Sequence, residues 1–277
     1  MNPVDEMFKT NIRNLLENGS SDKNPRAHYQ SDGAPAGTLF ITDVYEKYHI
    51  NQCPITTLRK VPIKNAIEEI LWIYQSASND LSLLKEKGVH YWDDWDIGDG
   101  TIGQRYGHTV KRYDLMNKLL KSLEENPYGR RHIMNLWQES EFEEDAKGLN
   151  PCAFLTEWSV VERKDGQTYL DLHLVQRSND YIVSAHINMV QYKALQMMIA
   201  KHLSIKPGTF SRHVMNLHIY DRHIEQAKEL LARESSEEPL FELNVPDGTN
   251  FYDIKTSDFS LINYRPTSPQ LKFDLGV

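Results

Sequence analysis

Cysteine is nearly missing from this 277-residue chain: only Cys53 and Cys152 occur. Two thiols so far apart, without metal-ligand spacing, exclude a disulfide framework and a cysteine zinc site, and no metal is expected. A reducing cytoplasm is the expected compartment. Positive charge is also in short supply, with 31 Lys and Arg against 39 Asp and Glu, a formal net charge of -8. A general polyanion binder needs a broad basic surface to displace counterions, so no DNA partner is expected and any phosphate must be gripped locally. Apolar runs are short. None approaches the roughly 20 residues needed to cross a bilayer, and the first thirty residues contain no apolar signal core, so no membrane association or export is expected. Internal repeats, low-complexity tracts and a domain boundary are absent as well. Residues 1–277 are therefore read as one catalytic domain.

The composition that is present, 40% hydrophobic and 25% charged, suits an ordinary globular protein with a sizeable core. Helical spacing predicts helices over Val4–Leu16, Ile63–Tyr74, Asn79–Leu84, Tyr113–Leu123 and Ile224–Leu231. Ile187–Leu203 is apolar on most faces and reads as a buried helix with Asn188 at its start. Alternation predicts strands at Thr38–Tyr48 and Arg131–Trp137 and short strand-like pieces through Leu271–Phe273. Ala153–Val161 and Thr168–Gln176 flank Lys164-Asp165-Gly166, a hairpin signal. That hairpin would bring Cys152, at the start of one strand, close to Arg177, at the end of the other. Ser20–Gly37 and the Gly/Asp-rich segment around Trp92, Trp95 and Tyr106 read as loops.

Cys152 carries the chemistry. It lies in Leu149-Asn150-Pro151-Cys152-Ala153, ahead of Gln176-Arg177-Ser178-Asn179-Asp180, Asn188 and His218-Ile219-Tyr220. A lone cysteine is most often a small buried hydrophobe. Here its company is a cationic anion-binding cluster, an amide able to read a heterocycle edge and a polar His-x-Tyr pair. A thiolate is the side chain best suited to covalent addition, and a neighbouring arginine such as Arg177 would favour its ionised form. Guanidinium forks on Arg26, Arg130, Arg131 and Arg177, with Ser178, suit a phosphate monoester.

Similar segments recur, in order, along nearly the whole chain of thymidylate synthases: Glu69-Ile70-Leu71-Trp72, Val89-His90-Tyr91-Trp92-Asp93-Asp94-Trp95, Tyr106-Gly107, Arg130-Arg131, Pro151-Cys152, Gln176-Arg177-Ser178-Asn179-Asp180, Asn188, His218-Ile219-Tyr220 and the ending Phe273–Val277. The chain is identified as a member of the thymidylate synthase and pyrimidine hydroxymethylase superfamily. The resemblance implies an α+β fold with a large mixed β-sheet packed by helices and a homodimer formed through the sheet. It implies deoxyuridylate (dUMP) and a reduced folate, methylenetetrahydrofolate, as substrates, with Cys152 the nucleophile and Arg177 both its partner and a phosphate ligand. Glu69 resembles the carboxylate that organises water and proton transfer, and Tyr106 belongs to the same catalytic group. Arg26 and Ser178 resemble phosphate ligands of the same subunit, and Arg130 and Arg131 the pair donated across the dimer. Asn188 resembles the reader of uracil O4 and N3–H, and His218 and Tyr220 resemble ligands of the sugar 3'-hydroxyl. Trp92, Asp180 and Val277 resemble folate contacts.

The chain also departs from the family pattern. Ala153 follows the nucleophile where His is common. Val183-Ser184-Ala185-His186-Ile187 stands where Leu-Gly-x-Pro-Phe is usual, and Met215-Asn216 where Gly-Asp is usual. Three readings follow from the resemblance: a thymidylate synthase; a dUMP 5-hydroxymethylase, which shares the early steps and ends with water in place of hydride; and an inactive nucleotide-binding homologue. An amide at Asn188 suits uracil, whereas deoxycytidylate enzymes of this fold use a carboxylate there.

Overall fold

In the computed structural model, which describes residues 2–144 and 148–276, the chain opens with α1 (Pro3–Asn18). Asn2 caps this helix, its Oδ1 accepting the Val4 N–H at 3.0 Å. Val4, Phe8, Ile12 and Leu15 bury one stripe of it. There follow β1 (Ser20–Ser21), β2 (Thr38–Tyr48), α2 (Ile63–Tyr74), α3 (Leu81–Glu86), α4 (Gly107–Tyr113), α5 (Leu115–Glu125), β3 (Ile133–Asn135) and α6 (Glu139–Glu144). The second half contains β4 (Ala153–Glu162), β5 (Thr168–Gln176), β6 (Asn179–Asp180), α7 (Ala185–His202), β7 (Lys206–Tyr220), α8 (Ile224–Ala232), β8 (Leu240–Leu243) and β9 (Phe259–Ile262). None of the described helices is long and apolar enough to cross a membrane.

The main sheet runs β1-β2-β7-β5-β4-β3, with β6 also paired to β7. The β5–β7 and β6–β7 pairings are parallel and the others antiparallel, so the sheet is mixed, as the α+β expectation required. Alternation decides its faces. On β4, Thr156, Trp158 and Val160 are buried while Glu157, Ser159 and Val161 are exposed. The buried face is covered by α7, nearly every residue of which is itself buried, and α2 packs against α7 with the Tyr74 and Tyr192 hydroxyls 3.2 Å apart. Where the β5–β7 register shifts, Gln196 of α7 donates to the carbonyls of Leu170 and Thr209 at 2.8 and 3.0 Å. Those buried acceptors are thereby satisfied. The sheet face remote from α7 leaves Tyr45, Ile133 and Met215 exposed.

Four elements differ from the sequence reading. The fifteen-residue β7 was not anticipated, because Ser211 and Arg212 are both buried within it and break the expected alternation. The helix expected at Tyr113–Leu123 is α5, which starts two residues later, and α4 ahead of it was not anticipated; Asp114, with a φ of 52°, ends one helix and starts the next. The strand expected at Arg131–Trp137 contracts to β3, and Leu271–Phe273 forms no strand.

Gly107 sets how the loop before α4 meets the core. A Cβ there would lie 2.0 Å from the Ser78 carbonyl oxygen and 2.4 Å from its nitrogen, and backbone cannot move aside as a flexible side chain can. Gly107→Ala should therefore lower unfolding free energy by about 3 kcal/mol, measured by urea denaturation. A loss below about 0.5 kcal/mol, within the range of ordinary surface changes, would contradict this close packing.

Candidate active site

β4 begins one residue after Cys152 and β5 ends one residue before Arg177, with Ala153 and Gln176 paired across the two strands. The hairpin therefore sets Cys152 and Arg177 side by side. Arg177 fastens the junction: its backbone N–H donates to the Cys152 carbonyl at 2.9 Å, its Nε to Pro151 at 3.0 Å and its Nη2 to Asn150 at 2.7 Å. The same Nη2 lies 3.4 Å from Cys152 Sγ. From the opposite side, the Cys152 backbone N–H donates to the Tyr106 hydroxyl at 3.1 Å. Tyr106 holds a φ of 51°, the left-handed region, immediately before Gly107.

The electrostatics correct one expectation. Burial raises the Cys152 thiol above its ordinary value, and the charges of Arg177 and Arg26 offset only part of this. The net direction favours the thiol form, with the Arg177 guanidinium the largest influence opposing it. Burial likewise pushes Glu69 up to about 7, against hydrogen bonding from Tyr91, Trp92 and Gln191. Tyr91 donates to Glu69 Oε2 at 2.5 Å. Trp92 and Gln191 act from less well-aligned positions, since Trp92 Nε1 and Gln191 Nε2 are buried without a well-formed partner. Burial also lifts Asp180 to about 7, opposed by the Val183 N–H and the Arg59 charge. His218 is lowered to about 4 by burial, so its ring is neutral at physiological pH, and its Nδ1 lies 2.9 Å from Asn216 Oδ1.

These groups share one cavity of about 880 Å³. Its lining includes Arg26, Arg177, Ser178, His218 and Tyr220, the polar groups Cys152, Tyr106, Glu69, Asn188 and Asp180, and the apolar side chains of Ile73, Trp92, Trp95, Val183 and Ile187. Leu275 and Gly276 also line it, so the carboxyl-terminal segment lies along the rim, held by a backbone bond from Gln30 N–H to Leu275 at 2.9 Å. Val277 lies outside the described residues. Arg130 and Arg131 are exposed and do not line this cavity. Among the described residues no group of acidic, histidine or cysteine side chains is arranged to hold a metal. Sequence reasoning missed Tyr91 and Gln191. The second had a signal, three residues beyond Asn188 on the same helix face.

A sheet-bearing α+β fold with a cysteine, an arginine cluster and buried carboxyls around one cavity defines a class, and comparison with known proteins identifies it. The thymidylate synthase family model matches residues 6–277. The chain is 56% identical to a thymidylate synthase of Lactococcus lactis subsp. cremoris (strain SK11) and 54% identical to one of Streptococcus suis (strain 05ZYH33), each alignment covering 100% of both proteins. Its fold is similar to that of thermostable thymidylate synthase A from Bacillus subtilis, with a TM-score of 0.90, 36% identity and 99% of each chain covered. The chain belongs to the thymidylate synthase family. It is an enzyme of the one-carbon transferase class, and its activity is thymidylate synthesis.

The raised Glu69 has a consequence for stability. Its folded pKa of about 7 lies above the ordinary carboxylate value, so its favourable contribution is complete at low pH and is lost as pH rises through 7. Glu69→Gln, which cannot ionise, should match wild-type stability at pH 4, below the ordinary carboxylate value, and exceed it at pH 8 by on the order of 2 kcal/mol. Chemical denaturation at both pH values checks this. An equal difference at both, or a less stable variant at pH 8, would contradict the assignment.

Proposed function

We propose that the cavity binds dUMP and methylenetetrahydrofolate together and that Cys152 is the nucleophile of the methylation. The carrying observation is the 3.4 Å approach of Arg177 Nη2 to Cys152 Sγ inside a cavity also lined by Glu69, Asn188 and the sugar-side pair His218 and Tyr220. Arg26, Arg177 and Ser178 are the phosphate ligands of this subunit, and planar guanidinium forks match a dianion. The Cys152 thiol gives its proton to water in the cavity, its sulfur bonds C6 of uracil, and the C5–C6 π pair shifts toward O4, making C5 an enolate-like carbon. Asn188 donates to O4, where that negative charge collects. Glu69, neutral or ionised near pH 7, orders water and moves a proton on the same face. The neutral His218, its Nδ1 engaged by Asn216, turns Nε2 toward the sugar hydroxyl, with Tyr220 beside it.

The apolar wall of the cavity suits a flat heteroaromatic partner such as a folate, with Asp180 as its polar anchor. Methylenetetrahydrofolate supplies the one-carbon unit and the hydride. The protein's part is to exclude water from the reacting carbon, through Trp92, Trp95 and the carboxyl-terminal segment ending in Val277. Arg130 and Arg131, exposed and away from their own cavity, are assigned to the phosphate site of a second subunit. The homodimer would form through the sheet face that exposes Tyr45, Ile133 and Met215. We assign the reaction to the cytoplasm.

Chromatography of products from dUMP and methylenetetrahydrofolate tests the chemistry. Thymidylate with dihydrofolate is expected, while hydroxymethyl-deoxyuridylate with tetrahydrofolate would replace the reading by its hydroxymethylase alternative. Cys152→Ala should abolish turnover and keep measurable dUMP binding, because the phosphate and base contacts survive; substantial residual turnover would remove Cys152 from its role. Shared sites predict complementation. Mixing inactive Cys152→Ala chains with inactive Arg130→Ala chains should restore activity in heterodimers, since one hybrid site then combines intact Cys152 with intact Arg130. Proven heterodimers without activity would argue against sharing.

A further inference from the structure

Beneath Asn188 lies a buried ion pair. Arg212 of β7 and Glu46 of β2 are cross-strand neighbours, each about 1% exposed, with Arg212 Nε donating to Glu46 Oε2 at 2.6 Å. Glu46 accepts further bonds from the hydroxyls of Tyr48 and Tyr181 at 2.8 and 2.7 Å and from Asn11 Nδ2 at 2.8 Å. Such a pair seldom adds stability over a well-packed apolar pair, so its presence asks for another explanation.

That explanation is in the rest of the guanidinium. Arg212 Nη1 donates to Gln176 Oε1 at 3.0 Å and to Asn179 Oδ1 at 3.3 Å. A guanidinium has donors only, so both amides must turn their oxygens toward it and their NH₂ groups away. Gln176 Nε2 and Asn179 Nδ2 then each donate to Asn188 Oδ1 at 3.1 Å. Asn179 uses its other N–H on Ser184 Oγ, also at 3.1 Å. With Asn188 Oδ1 filled twice, its Nδ2 points the other way and donates one hydrogen to Gln191 Oε1 at 3.0 Å. What Asn188 has left is a single N–H. Reversing any amide in the series would set NH₂ against NH₂ or against the guanidinium, so the charge of Arg212 dictates each orientation. The N3–H contact expected of Asn188 would require Gln176 or Asn179 to give way, whereas the contact to O4 needs no rearrangement.

We infer that Arg212, neutralised by Glu46 and acting through Gln176 and Asn179, is a positioning device that fixes Asn188 with its N–H toward the base, and so makes the site select a pyrimidine with an oxygen at C4 over one with an amino group. This rests on the reading that the cavity binds a pyrimidine nucleotide. An N–H facing O4 makes a hydrogen bond. The same N–H facing the amino group of cytosine meets another donor, which leaves two buried donors unpaired and separates the two bases by a large factor.

Binding by titration calorimetry tests the device without relying on turnover. The measured quantity is the ratio of deoxycytidylate to dUMP dissociation constants. In the paired Glu46→Leu, Arg212→Leu variant, which leaves no unpaired charge in the core, the ratio should fall about tenfold or more as Asn188 becomes free to turn. Gln176→Glu, which keeps the ion pair but puts a carboxylate oxygen against Asn188 Oδ1, should move the ratio the same way. A merely structural role would weaken both nucleotides together. Ratios within about twofold of wild type in Gln176→Glu and in the folded paired variant would overturn the device; where circular dichroism shows the paired variant unfolded, Gln176→Glu alone decides. Failure of the underlying reading would look different: the wild type would bind neither nucleotide measurably, and failure of the cysteine assignment would show as turnover retained in Cys152→Ala.

Discussion

Everything at the active site hangs on Arg177. Its guanidinium and backbone tie the end of β5 to three successive residues that lead into β4, Asn150, Pro151 and Cys152. Antiparallel pairing alone would bring the two strand ends together but leave the Cys152 side chain free to choose a rotamer. The bonds to the two preceding carbonyls fix the guanidinium plane, and only then does the 3.4 Å approach to sulfur become a defined contact. One N–H of Nη2 is used on Asn150, which leaves the guanidinium partly unsatisfied and therefore still able to meet an anion in the cavity. The same side chain thus serves as a brace for the backbone and a counter-charge beside sulfur, and on the proposed function also as a phosphate ligand.

A second constraint is dielectric. Burial is the largest influence on Cys152, Glu69, Asp180 and His218, and in each case it favours the neutral form. Near pH 7 the resting site accordingly holds carboxyls that are about half ionised and a neutral imidazole beside permanently charged arginines. On the proposed function, a dianionic phosphate compensates those arginines, and charge in the reaction develops at sulfur and O4, beside Arg177 and Asn188, in surroundings that strengthen each contact.

Much of this was legible in the sequence because it depends on local pattern. The hairpin about Lys164-Asp165-Gly166 predicted that Cys152 and Arg177 would meet, and the all-round apolar character of Ile187–Leu203 predicted a buried helix, observed as α7 with Asn188 in its first turn. What sequence periodicity missed are places where tertiary pairing overrides it. β7 buries the adjacent Ser211 and Arg212 on opposite faces, and the buried guanidinium is tolerated through Glu46 on β2 and the amide oxygens of Gln176 and Asn179. α4, a short helix ahead of the expected one, was missed; the left-handed φ of Asp114 separates it from α5. The thiol was expected to be lowered by arginine, but the sequence carries no measure of how deeply Cys152 is enclosed.

The departures from the family pattern make sense through the same network. Ser184, standing where glycine is usual, accepts from Asn179 Nδ2 at 3.1 Å and donates its hydroxyl to the Asp180 carbonyl at 3.0 Å, while its own carbonyl accepts the Asn188 N–H at 3.0 Å. The added side chain thus saturates the second hydrogen of the amide that Arg212 orients, and it does so at the residue from which α7 departs. His186, two residues on, fills the space between Phe8 and the Pro54 carbonyl, its ring edge-on to Phe8 at 4.5 Å. Asn216 replaces a charge with an amide beside a histidine already held neutral by burial, so no ion pair is lost that the ring could have formed. A glycine and an aspartate supply backbone freedom and charge; here serine and asparagine supply hydrogen bonds, and a polar network running from Glu46 to Gln191 takes over the ordering of the base-reading edge.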